Sequence, residues 1–153
     1  MPGPVVEPSA IRAELARVRD RGKRIALTNG VFDLLHVGHL RYLRQARRLA
    51  DVLVVGVNAD ASVGKAGRPL VPDNERAELV AALEPVDYVV IFSTATADSL
   101  LREVRPDVYV KGADYSEATL AEAATAREVG AELAFVPLVE GHSTSALMRR
   151  LNL

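Results

Sequence analysis

The chain has 153 residues, 49% apolar and 25% charged, the length and balance of one globular domain able to bury its own core. With 19 basic and 20 acidic residues its formal charge is −1, so global charge attracts neither nucleic acid nor an anionic membrane, and any phosphate site must be built locally. The absence of cysteine excludes disulfides, thiolate chemistry and zinc–thiolate sites. The opening "MPGPVVEPSA" has no basic-then-apolar leader pattern, and no apolar run approaches the ~18 residues of a membrane span, so a soluble cytoplasmic protein is expected.

In chain order, residues 1–8 are expected to be loose, with a single domain over 9–153. Ser9 is placed to cap a helix that carries Ile11, Leu15 and Val18 on one face and ends at Gly22. "KRIAL" reads as a buried strand, and residues 37–50 as a helix with Leu40, Leu43 and Leu49 available for packing. "DVLVVGVN" is the next strand. After the loop "GKAGRPLVPD", Asn74 is placed to cap the helix "NERAELVAAL", which leads to strand "DYVVIF". A helix over 97–104 is closed by Pro106, followed by strand "DVYVK". A helical segment over 116–129, strand "ELAFVPL" and helix "SALMRRL" complete the chain. Short, Val-rich strands alternating with helices predict an α/β fold: a single-domain, Rossmann-like, doubly wound sheet of five parallel strands covered on both faces.

In such sheets ligands bind beyond the carboxyl ends of the strands. The unusual residues cluster there: Asn29 and Gly30 through His39 after the first strand, Asn58 and Asp60 after the second, Lys111, Gly112, Ala113 and Asp114 after the fourth, and Gly141 through Ser145 after the fifth. His36 and His39, two of the three histidines, stand three positions apart at a helix start. Metal ligation would need partners beyond His142 and loop carboxylates such as Asp33, and no metal site is expected. Packed structural histidines are the bland alternative. Gly30 and Gly38 shift the balance, because glycines in a strand-to-helix connection let an anion approach the backbone where free N–H groups and the positive helix dipole await it. Donors to a phosphate are therefore the favoured role.

"GVFDLLHVGH" resembles the signature of the cytidylyltransferase-like nucleotidyltransferases, in which an HxGH motif between the first strand and its helix contacts nucleotide phosphates. The resemblance runs over residues 23–151. "NERAEL" is similar to the family's ERxxxL-type helix, which implies nucleotide contact for Arg76. "GHSTSAL" resembles its ISTT-like segment, which implies that Ser143, Thr144 and Ser145 cap the last helix and bind phosphate, although His142 replaces the usual apolar or small residue. Within this superfamily, "LTNGVFDLLHVGH", "VNADASV", "RPLVPDNERAELVAALEPVDYVV" and "VKGADY" are similar to the adenylyltransferase half of bifunctional ADP-heptose synthases. That likeness implies AMP transfer from ATP to a sugar 1-phosphate, heptose 1-phosphate above all, with Mg²⁺ accompanying ATP and a homodimeric assembly. The implied catalytic set is His36, His39, Lys65, Arg76 and Lys111. The implied nucleotide-binding set is Thr28, Asn29, Gly30, Val31, Phe32, Gly38, Asn58, Asp60, Gly112, Asp114, Ser143, Thr144 and Ser145.

The residue types suit that chemistry on their own terms. A substrate phosphate is already ionised and attacks in line, so positioned donors for the developing charge are needed and an enzyme nucleophile is not. Lys65 and Lys111 are point charges able to meet a sugar phosphate or the triphosphate, Lys65 having a solvated loop position as its alternative. Asp33 reads as a loop-holding residue, and Asp114 either assists substrate or metal or closes a turn with Gly112. Arg41, Arg44, Arg47 and Arg48 form a basic helix face without interleaved aromatics, read as a solvated exterior rather than a nucleic-acid surface. Other readings stay open: a cytidylyltransferase acting on glycerol 3-phosphate, an FAD-forming adenylyltransferase, or a nucleotide-binding regulatory module without catalysis.

Overall fold

The computed structural model describes residues 3–64, 66–137 and 143–152, and every structural statement below concerns those residues. Lys65, Gly141 and His142 lie outside them. The elements run α1 (Pro8–Asp20), β1 (Ile25–Gly30), α2 (Val37–Arg47), β2 (Val52–Asn58), a 3₁₀ turn (Asp60–Ser62), α3 (Asp73–Ala81), β3 (Tyr88–Phe92), α4 (Asp98–Val104), β4 (Val108–Gly112), α5 (Ala123–Glu128), β5 (Glu132–Val136) and α6 (Thr144–Arg150). The five strands form one parallel sheet in the order β3-β2-β1-β4-β5, as the strand-helix alternation predicts.

Parallel strands covered on both faces must be apolar throughout, and Val52 to Val57 of β2 are buried without interruption. On one face α1, α4 and α5 bury Ile11, Leu15, Leu101, Val104 and Ala126 against the sheet. On the other, α2 and α3 bury Leu43, Ala46, Ala77 and Val80. The order reverses at β1, whose neighbours β2 and β4 lead outward in opposite directions, so the switch point of the sheet lies between β1 and β4.

Several local expectations are corrected. Residues 3–6, expected to be loose, run beside the outer edge of β3: Val6 N donates to Val89 O (2.7 Å), Val89 N to Pro4 O (3.0 Å) and Gly3 N to Ala81 O (2.9 Å). An edge strand has backbone groups to satisfy, and this segment satisfies them. α1 starts at Pro8 with Glu7 at the cap position, so Ser9 lies inside the first turn; proline suits that start because its missing N–H has no helical partner there. Gly22 does follow the helix, at φ 72°. α3 likewise starts two residues early, at Asp73 with Pro72 at the cap position, so Asn74 is helical and not its cap. The helix expected over 116–129 shrinks to α5, because the Thr119 hydroxyl accepts Ser116 N (2.9 Å) and folds that stretch into a turn that competes with helix.

Candidate active site

The site begins with a ladder that stops early. β1 pairs with β2 along its whole length, Ile25 through Gly30, but with β4 only at Ala26–Val108 and Leu27–Tyr109. Beyond that point the two strands part. Into the opening face the connection between β1 and α2, the end of β4 and the start of α6, which together line a cavity of about 590 Å³. The cavity therefore sits at the switch point, where open α/β sheets hold ligands.

Local sequence shapes each wall. Phe32 adopts a left-handed backbone (φ 54°) and lays its buried ring over Gly30, where a Cβ would meet the ring at 3.1 Å. The chain then turns into α2 with His36 at its N-cap. His36 Nδ1 accepts Gly38 N (3.1 Å) and His39 Nδ1 accepts His36 N (3.2 Å), so two imidazoles satisfy backbone donors that a helix start leaves unpaired. A neutral imidazole carries one N–H, and with Nδ1 accepting, that proton sits on Nε2. The rings lie with centroids 3.9 Å apart, and Phe32 packs 5.4 Å from His39. Burial, reinforced by the neighbouring His36 imidazole, pushes the His39 pKa down to about 4, so His39 is a neutral donor at pH 7.

Lys111 and Arg149 line the same cavity as the histidines. Lys111 is half-buried with Nζ 5.2 Å above the Tyr115 ring, and burial holds its pKa below the ordinary lysine value against the opposing pull of Glu122 and Asp114. An ammonium short of hydration gains most from an anionic ligand. Ser143 caps α6 by accepting Ala146 N (3.0 Å), and the Thr144 hydroxyl donates to Leu34 O (3.3 Å), tying α6 to the β1–α2 connection.

Of the residues that the sequence nominates, the cavity brings together Asn29, Gly30, Val31, Phe32, His36, Gly38, His39, Lys111, Gly112, Asp114, Ser143 and Thr144. Others stand elsewhere. Thr28 is fully buried, its hydroxyl 2.9 Å from the Tyr42 hydroxyl. Ser145 lines a neighbouring cavity of about 550 Å³ together with Arg68, Leu70 and Met148. Asn58 Nδ2 donates to the Ser62 hydroxyl (3.4 Å) and Asp60 pairs with Arg76; neither lines the main cavity. Arg76 does not line the cavity either. It is fully buried and its guanidinium is consumed internally, donating to Val71 O (2.8 Å), Val31 O (2.5 Å) and Asp60 Oδ1 (2.7 Å). It braces the loops after β1 and before α3 against the turn after β2.

Asp33 is the partner of that brace. Its buried carboxylate accepts Leu70 N (2.9 Å), Val71 N (3.0 Å) and Arg68 Nε (2.8 Å). Burial raises its pKa, but the backbone donors and the Arg68 guanidinium outweigh that and hold the carboxyl below its usual value. The loop after β1 and the loop before α3 are thus welded by one buried anion and one buried cation.

Tyr42, Tyr115, Ala146 and Arg149 also line the cavity, although the sequence nominated none of them. Helical spacing carries a signal for two of them: Tyr42 follows His39 by three positions and Arg149 follows Ala146 by three, each on the same helix face. No group of three or more His, Cys, Asp or Glu side chains able to hold a metal exists among the described residues, and no helix there is long and apolar enough to cross a membrane.

The family model described as cytidylyltransferase-like matches residues 27–150. The chain is 43% identical over 145 residues to the bifunctional protein HldE of Syntrophotalea carbinolica, covering 93% of this chain and 30% of that protein. It is 47% identical over 150 residues to HldE of Acidiphilium cryptum, covering 96% and 31%. It spans less than a third of the length of these relatives. A crystal structure of the lipopolysaccharide core biosynthesis protein from Thermoplasma volcanium superposes with a TM-score of 0.69 at 29% identity, over 78% of this chain and all of that one. With the cavity at the switch point, the histidine-capped helix and a family match spanning most of its length, the chain belongs to the cytidylyltransferase-like family of nucleotidyltransferases.

Proposed function

We propose that this protein transfers AMP from ATP to a sugar 1-phosphate, heptose 1-phosphate in particular, releasing pyrophosphate. The observation that carries the reading is the meeting of two helix-capping imidazoles, His36 and His39, with two cations, Lys111 and Arg149, in one cavity at the split of β1 and β4. An oxygen of the acceptor phosphate attacks the α-phosphorus, a new P–O bond forms, and the bond to the bridging oxygen of pyrophosphate breaks. Charge grows on the α-phosphoryl oxygens and on the leaving group. Fixed donors aimed there lower the barrier without reorganising, and removing one such donor typically costs roughly 10²–10³-fold in turnover. His39 supplies a neutral donor beside the His36 imidazole, while Lys111 and Arg149 supply the charge.

Mg²⁺ belongs to the substrate, as MgATP. Asp114 is the one carboxylate among the lining residues, which suits a metal held chiefly by triphosphate oxygens. The choice of acceptor is supported by the likeness of "VKGADY" and "RPLVPDNERAEL" to ADP-heptose synthases, and by a structural neighbour from lipopolysaccharide core biosynthesis. A pyrophosphate-release assay over ATP and CTP against heptose 1-phosphate, other sugar 1-phosphates and glycerol 3-phosphate tests it. ADP-heptose formation with CTP much poorer is expected. CDP-glycerol from CTP with no product from any sugar 1-phosphate would overturn the acceptor and base while leaving the donor chemistry standing.

A further inference from the structure

The split between β1 and β4 is spanned by two hydroxyls from opposite faces of the sheet. Successive side chains of a strand point to opposite faces, so just past the last paired residues Thr28 projects to one side and Asn29 to the other. On the α2 face, the Tyr42 hydroxyl donates to Val110 O (3.0 Å) and lies 2.9 Å from the Thr28 hydroxyl. A phenol has one proton, so with Val110 receiving it, Thr28 is the donor of the second bond. Val110 is the first β4 residue beyond the paired stretch, and its carbonyl bonds to a side chain brought in by a helix. On the opposite face, the hydroxyl of the fully buried Tyr109 donates to Asn29 Oδ1 (2.5 Å). Burial pushes the Tyr42 pKa up to about 12 and raises that of Tyr109, so both stay protonated donors.

These contacts touch both cavity walls. Val110 precedes Lys111, so fixing its carbonyl fixes the peptide plane from which the Lys111 side chain departs. Asn29 itself lines the cavity and precedes Gly30. Neither hydroxyl is needed to fill the core, since the rings do that, and neither bond belongs to the β ladder.

We infer that Tyr42 and Tyr109 are positioning residues for the nucleotide, two struts that hold β1 and β4 at a set separation so that Asn29 on one wall and Lys111 on the other face one ligand. The inference rests on the nucleotide-binding part of the function proposed above and not on the acceptor. It makes the site depend on two side chains whose phenylalanine replacements keep volume and apolar packing.

The test uses the whole chain with MgATP as the probe and no acceptor. ATP affinity of Tyr42→Phe, Tyr109→Phe and the double variant is measured by calorimetry at a temperature where circular dichroism shows each fully folded. Ile11→Val, a buried α1 change away from the cavity, is the control for simple loss of stability. Misplacing a binding group by a fraction of an ångström is expected to weaken ATP by about tenfold in each single variant and further in the double. Ile11→Val is expected to bind ATP as the parent does. Parent-like affinity in both phenylalanine variants, or an equal loss in Ile11→Val, would overturn the strut role, and Tyr109→Phe decides the matter should Tyr42→Phe not fold. A parent protein that binds neither ATP nor CTP would overturn the functional reading itself.

Discussion

The two ends of the sheet use the same kinds of groups in opposite ways. At the amino ends of the strands, three aspartates each accept a backbone N–H from a neighbouring strand: Asp51 from Arg24, Asp87 from Leu53 and Asp107 from Ile25, all at 2.8 Å. Their carboxylates are spent on closing that edge. At the carboxyl ends the ladder between β1 and β4 opens after two residue pairs, and the polar side chains there divide their capacity. Both imidazoles give Nδ1 to the helix start and His39 keeps Nε2–H as a donor, while Lys111 and Arg149 line the cavity without a carboxylate salt bridge among the described residues. One edge is held for stability and the other is held for a ligand. Substitutions at the first should register in unfolding, and at the second in turnover.

Asp33 gives the largest expected effect because it serves the open edge by the means of the closed one. Asp33→Ala strips acceptors from Leu70 N and Val71 N and leaves Arg68 without its buried partner, a loss of about 3–5 kcal/mol in denaturant unfolding. A change below ~1 kcal/mol would show that water replaces the carboxylate and that the loops are not welded through it.

His39→Ala sharpens the contrast from the other side. Turnover at saturating ATP should fall roughly 10²-fold or more. The lost cap to His36 N should cost only about 1 kcal/mol of stability. A near-parental rate would return His39 to the role of a packed cap.

Asp107→Ala is the counterpart at the amino edge. Depriving Ile25 N of its acceptor should cost about 1–3 kcal/mol in urea unfolding, with turnover unchanged, because the strand starts lie at the far end of the sheet from the cavity. Impaired turnover with unchanged stability would dissolve the distinction between the edges.

The smallest effect is a pH slope. The unfolded chain takes a proton on His39 near the ordinary histidine value of 6.5, whereas the folded chain refuses it until about 4. Between these values the unfolded state binds more protons, so stability is complete above 6.5 and declines as pH falls toward 4. Urea midpoints at pH 7, 5.5 and 4.5 should fall less steeply in His39→Gln than in the parent. Parallel slopes would mean that burial does not govern this imidazole.

Periodicity and residue chemistry determined much of this protein without coordinates. The alternation of Val-rich strands with amphipathic helices is enough to specify a doubly wound parallel sheet, because only strands buried on both faces tolerate such runs. The carboxyl-end rule then gathers residues from four separate connections to one edge, and twelve of the eighteen nominated positions line the cavity, all of them in those connections. Tertiary structure decided which of the nominated groups are spent. Arg76 looks available for chemistry in the sequence and Asp33 reads as a loop holder, and in the fold both are consumed by carbonyls, amides and a charged partner contributed by other loops. The split that makes the cavity is likewise invisible in one dimension: it depends on which strand lies beside β1 and on a hydroxyl that α2 carries to Val110, 68 positions away. Local pattern sets the kind of element and the face it buries, whereas the satisfaction of each buried polar group depends on partners that only the folded chain brings within about 3 Å.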